Sequence, residues 1–387
     1  MIPEKFADIR PFTPEELPEV FDRLIANEQF KAVLAYLYPG VPVEAIAAKM
    51  KQCKTNLDFQ KAFCLGFLHD LLKKASLGYT ADFSNINLAD RHTFISNHRD
   101  IVLDSALLSV VLIESGSDTT CEIAIGDNLL ALPWVKDLVR VNKSFIVKRS
   151  LSMREMLLAS KLLSEYMHYV INDKHDNVWI AQREGRAKDS NDRTQEAILK
   201  MMVMGGKGSV VDSLLDLHLV PLAISYEYDP CDFLKAQEFQ LKRDIPGWKK
   251  SAQDDIVSMQ TGIMGYKGHI HYHAAPCIDA WLRELPADTP KADIFRIIAE
   301  HIDREIHAHY QLFPSNFVAL DMLQGNAAHA DKYSAADKAQ FEKYLAGQLA
   351  KIQIENKDEA YLRECILKMY ANPAINQLAL ALSLIHI

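Results

Sequence analysis

Phe94-Ile-Ser-Asn-His-Arg-Asp-Ile-Val-Leu-Asp104 carries a short apolar run into a polar turn and out again into a helix. The turn is Ser96-Asn97, and His98 follows at once. Asp100 and Asp104 stand two and six residues on, ahead of an apolar helical run from Ser105 to Ile113. A strand that ends in a histidine and opens a helix bearing an acid is suited to general-base chemistry. Imidazole titrates near neutrality, and a carboxylate within hydrogen-bond reach fixes its tautomer and steadies the imidazolium. The plain alternative is a helix start with Asn97 as cap, Asp100 at the positive end of the dipole and His98 as a polar loop residue.

The same texture repeats on the C-terminal side. The runs 93–95, 122–125, 144–147, 178–181 and 219–225 are β-rich, and helical patterns at 104–114, 128–139, 152–171 and 193–204 separate them. Such alternation predicts an α/β domain with a largely parallel central sheet. Sites in these domains gather at the carboxyl ends of strands. Four of the runs end in polar or charged residues: Asn97-His98, Lys148-Arg149, Gln182-Arg183-Glu184-Gly185-Arg186 and Tyr226-Glu227.

The flanks read as helical. Val20, Phe21, Leu24 and Ile25, then Phe30, Val33, Leu34 and Leu37, recur at three- and four-residue spacing. A further helix spans about 57–77, with Phe59, Phe63, Phe67 and Leu71 on overlapping faces and Gly78 as its stop. Residues 229–292, rich in Pro and Gly, read as irregular, and the chain after Ala292 as helical. The expected division is a helical subdomain over 1–88, the α/β domain over 89–285 and a helical region over 286–387. The tail 378–387 has no stop signal and reads as a helix cut short.

Composition narrows the function classes. The chain has 387 residues, 49% hydrophobic and 24% charged, which is ordinary globular content. A net charge of -8 argues against a nucleic-acid binder, and anion affinity must come from local basic clusters. The six cysteines form no Cys-x-x-Cys pair and read as reduced thiols in a cytoplasmic protein. No signal-peptide stretch follows Met1, and no run approaches the ~20 apolar residues of a bilayer span, so membrane contact would be peripheral. His269, His271 and His273 alternate, and His301 and Glu305 share a helix face. No ligand set completes either group, so both read as polar faces and no metal is expected. Gly205-Gly206-Lys207-Gly208-Ser209 lacks phosphate-loop spacing.

Taken in order, the strand ends resemble the glycerolipid acyltransferases, the family of glycerol-3-phosphate and 1-acylglycerol-3-phosphate acyltransferases. That family opens with Asn-His and an Asp five residues after the His; here Asn97-His98 is followed by Asp104 at plus six and Asp100 at plus two. Its second block ends a strand in two basic residues, matching Ser144-Phe-Ile-Val-Lys148-Arg149. The third is a strand, then Glu-Gly and an arginine, here Val178 to Arg186, with Arg186 directly after Gly185 where the family usually spaces them. A fourth has a Val-Pro step, here Val220-Pro221, and Ile125-Gly126-Asp127-Asn128-Leu129 resembles the family's connecting turn. The likeness covers about residues 90–230.

The resemblance implies an acyltransferase-like α/β domain and an O-acyltransferase without cofactor. His98 would take the proton of an acceptor hydroxyl as it attacks the thioester of acyl-carrier protein or acyl-CoA. Asp104, or else Asp100, would orient His98, with Asp104 preferred. Backbone donors at the following helix start would receive the oxyanion. Lys148, Arg149 and Arg186 would hold an anionic glycerolipid precursor, and Glu184, beside Gly185, would accept from its hydroxyls. The placement implied is cytoplasmic, peripheral on the inner membrane face, within phospholipid synthesis. The shifted Arg186 leaves room for a different acceptor, the hydroxyl of an acylated amino-acid lipid. A non-catalytic lipid-surface protein with the same fold is the third reading.

Overall fold

The computed structural model describes residues 2–38, 40–149, 151–286 and 288–385. Among these residues seven strands form one sheet: β1 (Tyr79–Asp82), β2 (Thr93–Ser96), β3 (Cys121–Gly126), β4 (Ser144–Val147), β5 (Asn177–Ala181), β6 (Leu219–Tyr226) and β7 (Ile270–Ala274). Their order is β1-β7-β6-β2-β5-β3-β4. Every pairing is parallel except β6 with β7. The class is α/β, and the five strands read from sequence are β2 to β6.

Alternation divides each strand between two cores. Ile95, Phe145, Val178, Ile180 and Ala223 face one side, against helices Met153–Asn172 and Ile294–Ala308. Phe94, Ile123, Trp179, Val220, Leu222 and Ile224 face the other, against helices Leu65–Ala75 and Leu103–Glu114. A sheet covered on both faces needs apolar residues on both, which is why β2 is buried along its whole length. Helix Leu103–Glu114 is buried on nearly every side and shows almost no amphipathic stripe.

The boundary at 88 needs correction. β1 precedes it and joins the sheet edge in parallel with β7. Tyr-Thr-Ala-Asp is too short and too exposed to stand out as a strand. The expected helix over 57–77 is interrupted by a π-helical turn, Gln60–Cys64. There the buried Gln60 accepts from the Thr120 hydroxyl at 2.6 Å. The first helices share a core with Val141, Trp134 and Leu138 of helix Pro133–Val141.

Residues 229–292 are less irregular than expected. Helices Asp232–Asp244 and Ala252–Met264 and strand β7 lie there. Pro230, Pro246, Gly247 and Gly265 punctuate these elements instead of interrupting them. His271 and His273 do lie on one polar strand face: His271 Nδ1 is 2.7 Å from the Thr80 hydroxyl, and His273 Nε2 is 3.2 Å from the Asn85 amide. His301 is not on a solvated face; its ring stacks on Trp281 with centroids 3.8 Å apart. Gly205 packs flat on helix Met153–Asn172, where a Cβ would meet the Glu165 backbone at 2.3 Å. Helix Glu359–Ile385 packs along Pro314–Gln324 and closes the molecule. The tail reading concerns an end that lies outside the described residues.

Candidate active site

β2 delivers its histidine to a fixed place. Asn97, fully buried, donates to the Ile224 carbonyl at 2.9 Å and accepts from the Ile224 N–H at 2.8 Å. This reciprocal pair clamps the end of β2 to β6, so Asn97 is not a helix cap. His98 then emerges mostly covered, 14% exposed, its ring edge-on to Trp179 with centroids 5.7 Å apart.

The open choice between the two acids is decided by geometry. His98 Nδ1 lies 2.7 Å from Asp104 Oδ2. The same oxygen accepts the Arg99 N–H at 2.7 Å and the Asp100 N–H at 3.0 Å. Asp104 is fully buried, so its orientation is fixed. A carboxylate accepting at Nδ1 puts the proton there and leaves the Nε2 lone pair outward. Nε2 has no hydrogen-bond partner among the described residues.

Asp100 has a different task. Its Oδ1 accepts from Val102 N–H at 2.9 Å and Leu103 N–H at 2.8 Å, ordering the turn into the helix. Burial first, then the neighbouring Asp104 carboxylate, push its carboxyl above the usual range. Helix Ala252–Met264 presses on it at Gly262, where a Cβ would come within 2.0 Å of Asp100 Oδ2. Four N–H groups at the helix start, those of Arg99, Asp100, Val102 and Leu103, are therefore already bonded. Those four are not free to receive an oxyanion, which narrows the expectation to the remaining N–H groups of the turn.

The basic residues separate. β4 lies three strands from β2, roughly 14 Å at sheet spacing. Lys148 has one ion-pair partner among the described residues, Asp8 at 4.0 Å, and does not join the group. Arg149 does reach inward: its guanidinium crosses the end of β3 above Gly126, where a Cβ would lie 2.8 Å from Nε. It meets Glu184 at 3.4 Å. Asp127 accepts the Arg149 N–H at 3.1 Å, which gives the connecting turn a local purpose. Gly185 sits at φ +68, a left-handed turn that suits a glycine. Arg186 follows, and its Nη1 is buried without a partner. Arg183 Nε and both amide atoms of Gln182 are likewise buried and unpartnered. Orphan donors of this kind are costly unless an acceptor arrives.

A supporting network has no local signal in the sequence. Arg99 makes a two-pronged pair with Asp192, at 2.8 and 2.6 Å, and the Tyr310 hydroxyl donates to the same carboxylate. Burial works against the Arg99 charge, but Asp192 outweighs it and the guanidinium is held more firmly protonated than usual. The Lys235 ammonium donates to the Arg99 carbonyl at 3.2 Å, and the Tyr272 hydroxyl to the Asp104 carbonyl at 2.9 Å. Asn372 of helix Glu359–Ile385 donates to the Asp189 carbonyl at 2.7 Å, so the last helix braces the loop that carries Asp192.

Residues 83–225 match the model of the Acyltransferase family. This segment is an acyltransferase domain. The match runs through all four blocks and bears out the likeness to the glycerolipid acyltransferases. Among solved structures, the chain is similar to the crystal structure of the 1-acyl-sn-glycerophosphate (LPA) acyltransferase PlsC from Thermotoga maritima. The identity is 13%, 77% of this chain and 98% of that chain are covered, and the TM-score is 0.39. No curated protein matches. Among the described residues no helix is long and apolar enough to cross a membrane.

Proposed function

We propose that this acyltransferase domain transfers a fatty acyl group from a thioester to a hydroxyl of an anionic glycerolipid precursor, with His98 as general base. The observation that carries the reading is the His98–Asp104 pair: Nδ1 is held at 2.7 Å and Nε2 is left open at the carboxyl edge of β2. The hydroxyl gives its proton to Nε2 as its oxygen attacks the thioester carbon. The C–S bond then breaks, and the proton passes from the imidazolium to the leaving thiolate. Asp104 keeps the ring oriented and offsets the imidazolium charge throughout. Acyl-carrier protein or acyl-CoA supplies the thioester; the acceptor is glycerol-3-phosphate or 1-acylglycerol-3-phosphate.

The buried Arg186 Nη1 and the Arg149 guanidinium support an anion at the end of β5. Arg186→Ala is expected to lower kcat/KM roughly 10- to 150-fold, mainly through KM for the phosphate-bearing acceptor, since one charged hydrogen bond is worth about 1.5–3 kcal/mol. An acceptor panel tests the class. If turnover is equal for neutral and phosphate-bearing alcohols, the anion role of Arg186 is lost.

A peripheral placement on a lipid surface is supported by the helix that follows Arg149. Met153, Met156 and Leu157 share one of its faces at 89%, 52% and 61% exposure, beside Leu158 at 61%. Apolar side chains this exposed next to the site suit a lipid surface. Met153→Glu combined with Leu157→Glu is expected to weaken binding to anionic phospholipid vesicles at least ~10-fold, read by co-sedimentation, because each buried side chain is worth about 1.5–3 kcal/mol. Unchanged co-sedimentation would remove this helix from the lipid contact.

A further inference from the structure

At the amino end of the sheet, opposite His98, three kinds of metal ligand come together. One nitrogen of His218, Sγ of Cys277 and one carboxylate oxygen of Asp279 lie within 4.8 Å of one another. His218 immediately precedes β6, in a left-handed conformation at φ +48. Cys277 and Asp279 flank Ile278, whose N–H bonds the Leu219 carbonyl at 3.0 Å. The backbone thus pins this segment against the start of β6.

A second observation comes from β2. Thr93 and Leu219, the first residues of neighbouring strands, are in register, and Thr93 N–H reaches the His218 carbonyl at 3.2 Å. His92 and His218 therefore stand one step before register partners. His92 is only 7% exposed, and its Nδ1 is buried with no hydrogen-bond partner. Its Nε2 has a long contact, 3.4 Å, to the Asn87 carbonyl. Both His218 and Asp279 are within electrostatic reach of its ring. Asp279 adds another orphan: Oδ2 binds His218 Nδ1 at 2.6 Å, while Oδ1 is buried and unpartnered.

An unsatisfied buried carboxylate oxygen beside a thiol and an imidazole, with the unsatisfied His92 ring at the start of the neighbouring strand, suits a cation. We propose that His218, Cys277 and Asp279 form a structural zinc site, with His92 turning in as the fourth ligand. Imidazole, thiolate and carboxylate are zinc's usual donors, with bonds of about 2.0–2.3 Å, and His92, outside the three-residue group, turns toward the ion to complete a tetrahedral set. Binding releases the thiol proton and the proton shared by His218 and Asp279. The His218 side chain, 42% exposed, leaves a way in. The ion would tie the starts of β2 and β6 to the lead of helix Asp279–Glu284, three segments distant in the chain. It lies at the far end of β2 from His98 and takes no part in acyl transfer.

The test uses the full chain without a histidine tag, stripped by chelator and then given zinc or cobalt alone. The expected result is one zinc per chain after gel filtration, a raised Tm, and a cobalt form with a thiolate charge-transfer band. Cys277→Ser should abolish that band, and His92→Ala should weaken zinc binding about 10- to 100-fold. Should either variant misfold, the wild-type cobalt spectrum decides alone. No bound zinc, no thiolate band, or wild-type affinity in folded variants would overturn the site.

Discussion

His98→Ala is expected to lower kcat/KM for acyl transfer by about 10²- to 10⁴-fold, the usual contribution of a positioned general base. The fold should survive. The ring is partly exposed, and its removal leaves Asp104 Oδ2 with the Arg99 and Asp100 N–H groups, so the buried carboxylate is not stranded. The expected stability change is below about 1 kcal/mol. Asp104→Asn separates orientation from mere presence. If the amide group turns its NH2 toward His98, it donates to Nδ1 and moves the imidazole proton to Nε2, where a base is no longer available. A loss comparable to that of His98→Ala is expected, and the double variant should be little worse than either single one, because the two act as a unit. Steady-state assays with a thioester donor, alongside urea unfolding, check both. Turnover within about threefold of wild type in a folded His98→Ala protein would end the general-base role.

The parts of this site that the sequence made legible are those written locally. Asn97, His98 and Asp104 fall within eight residues, and their arrangement follows from a strand that must end where a helix begins. Strands β2 to β6 were legible for a related reason: burial on both faces writes short continuous apolar runs. β1 and β7 were not: β1 is a short, exposed edge strand, and β7, though inside the sheet, buries only alternate residues, so neither writes a continuous apolar run. Lys148 misled because two adjacent basic residues at a strand end look alike in sequence. Alternation sends them different ways, one to Asp8 and the other across Gly126 to Glu184. The bonded state of the helix-start N–H groups was also hidden. It depends on how tightly two acids fold back over one turn, which spacing does not report.

Asp192 is the residue that spacing could least have found, and its replacement is expected to be the most damaging to stability. Asp192→Ala leaves the Arg99 guanidinium, 7% exposed, without its partner and also strips the Tyr310 hydroxyl of its acceptor. Breaking a buried ion pair from one side costs about 3–5 kcal/mol, since the remaining charge cannot return to water. The midpoint of urea unfolding should fall accordingly, with little change in slope. The charge pair itself contributes less than that loss suggests, because desolvation of two ions offsets most of their attraction. Arg99→Met combined with Asp192→Leu should therefore recover most of the stability. Activity divides the structural role from the positional one. Arg99 stands between His98 and Asp100, and its pair with Asp192 ties the turn to the loop behind Arg186. If that tie positions His98 against the anion-holding loop, the double variant will be stable yet slow, with kcat reduced more than KM is raised. Full activity in the stable double variant would mean that the pair serves the fold alone, and a loss below about 1 kcal/mol in Asp192→Ala would mean that Arg99 finds another partner or water.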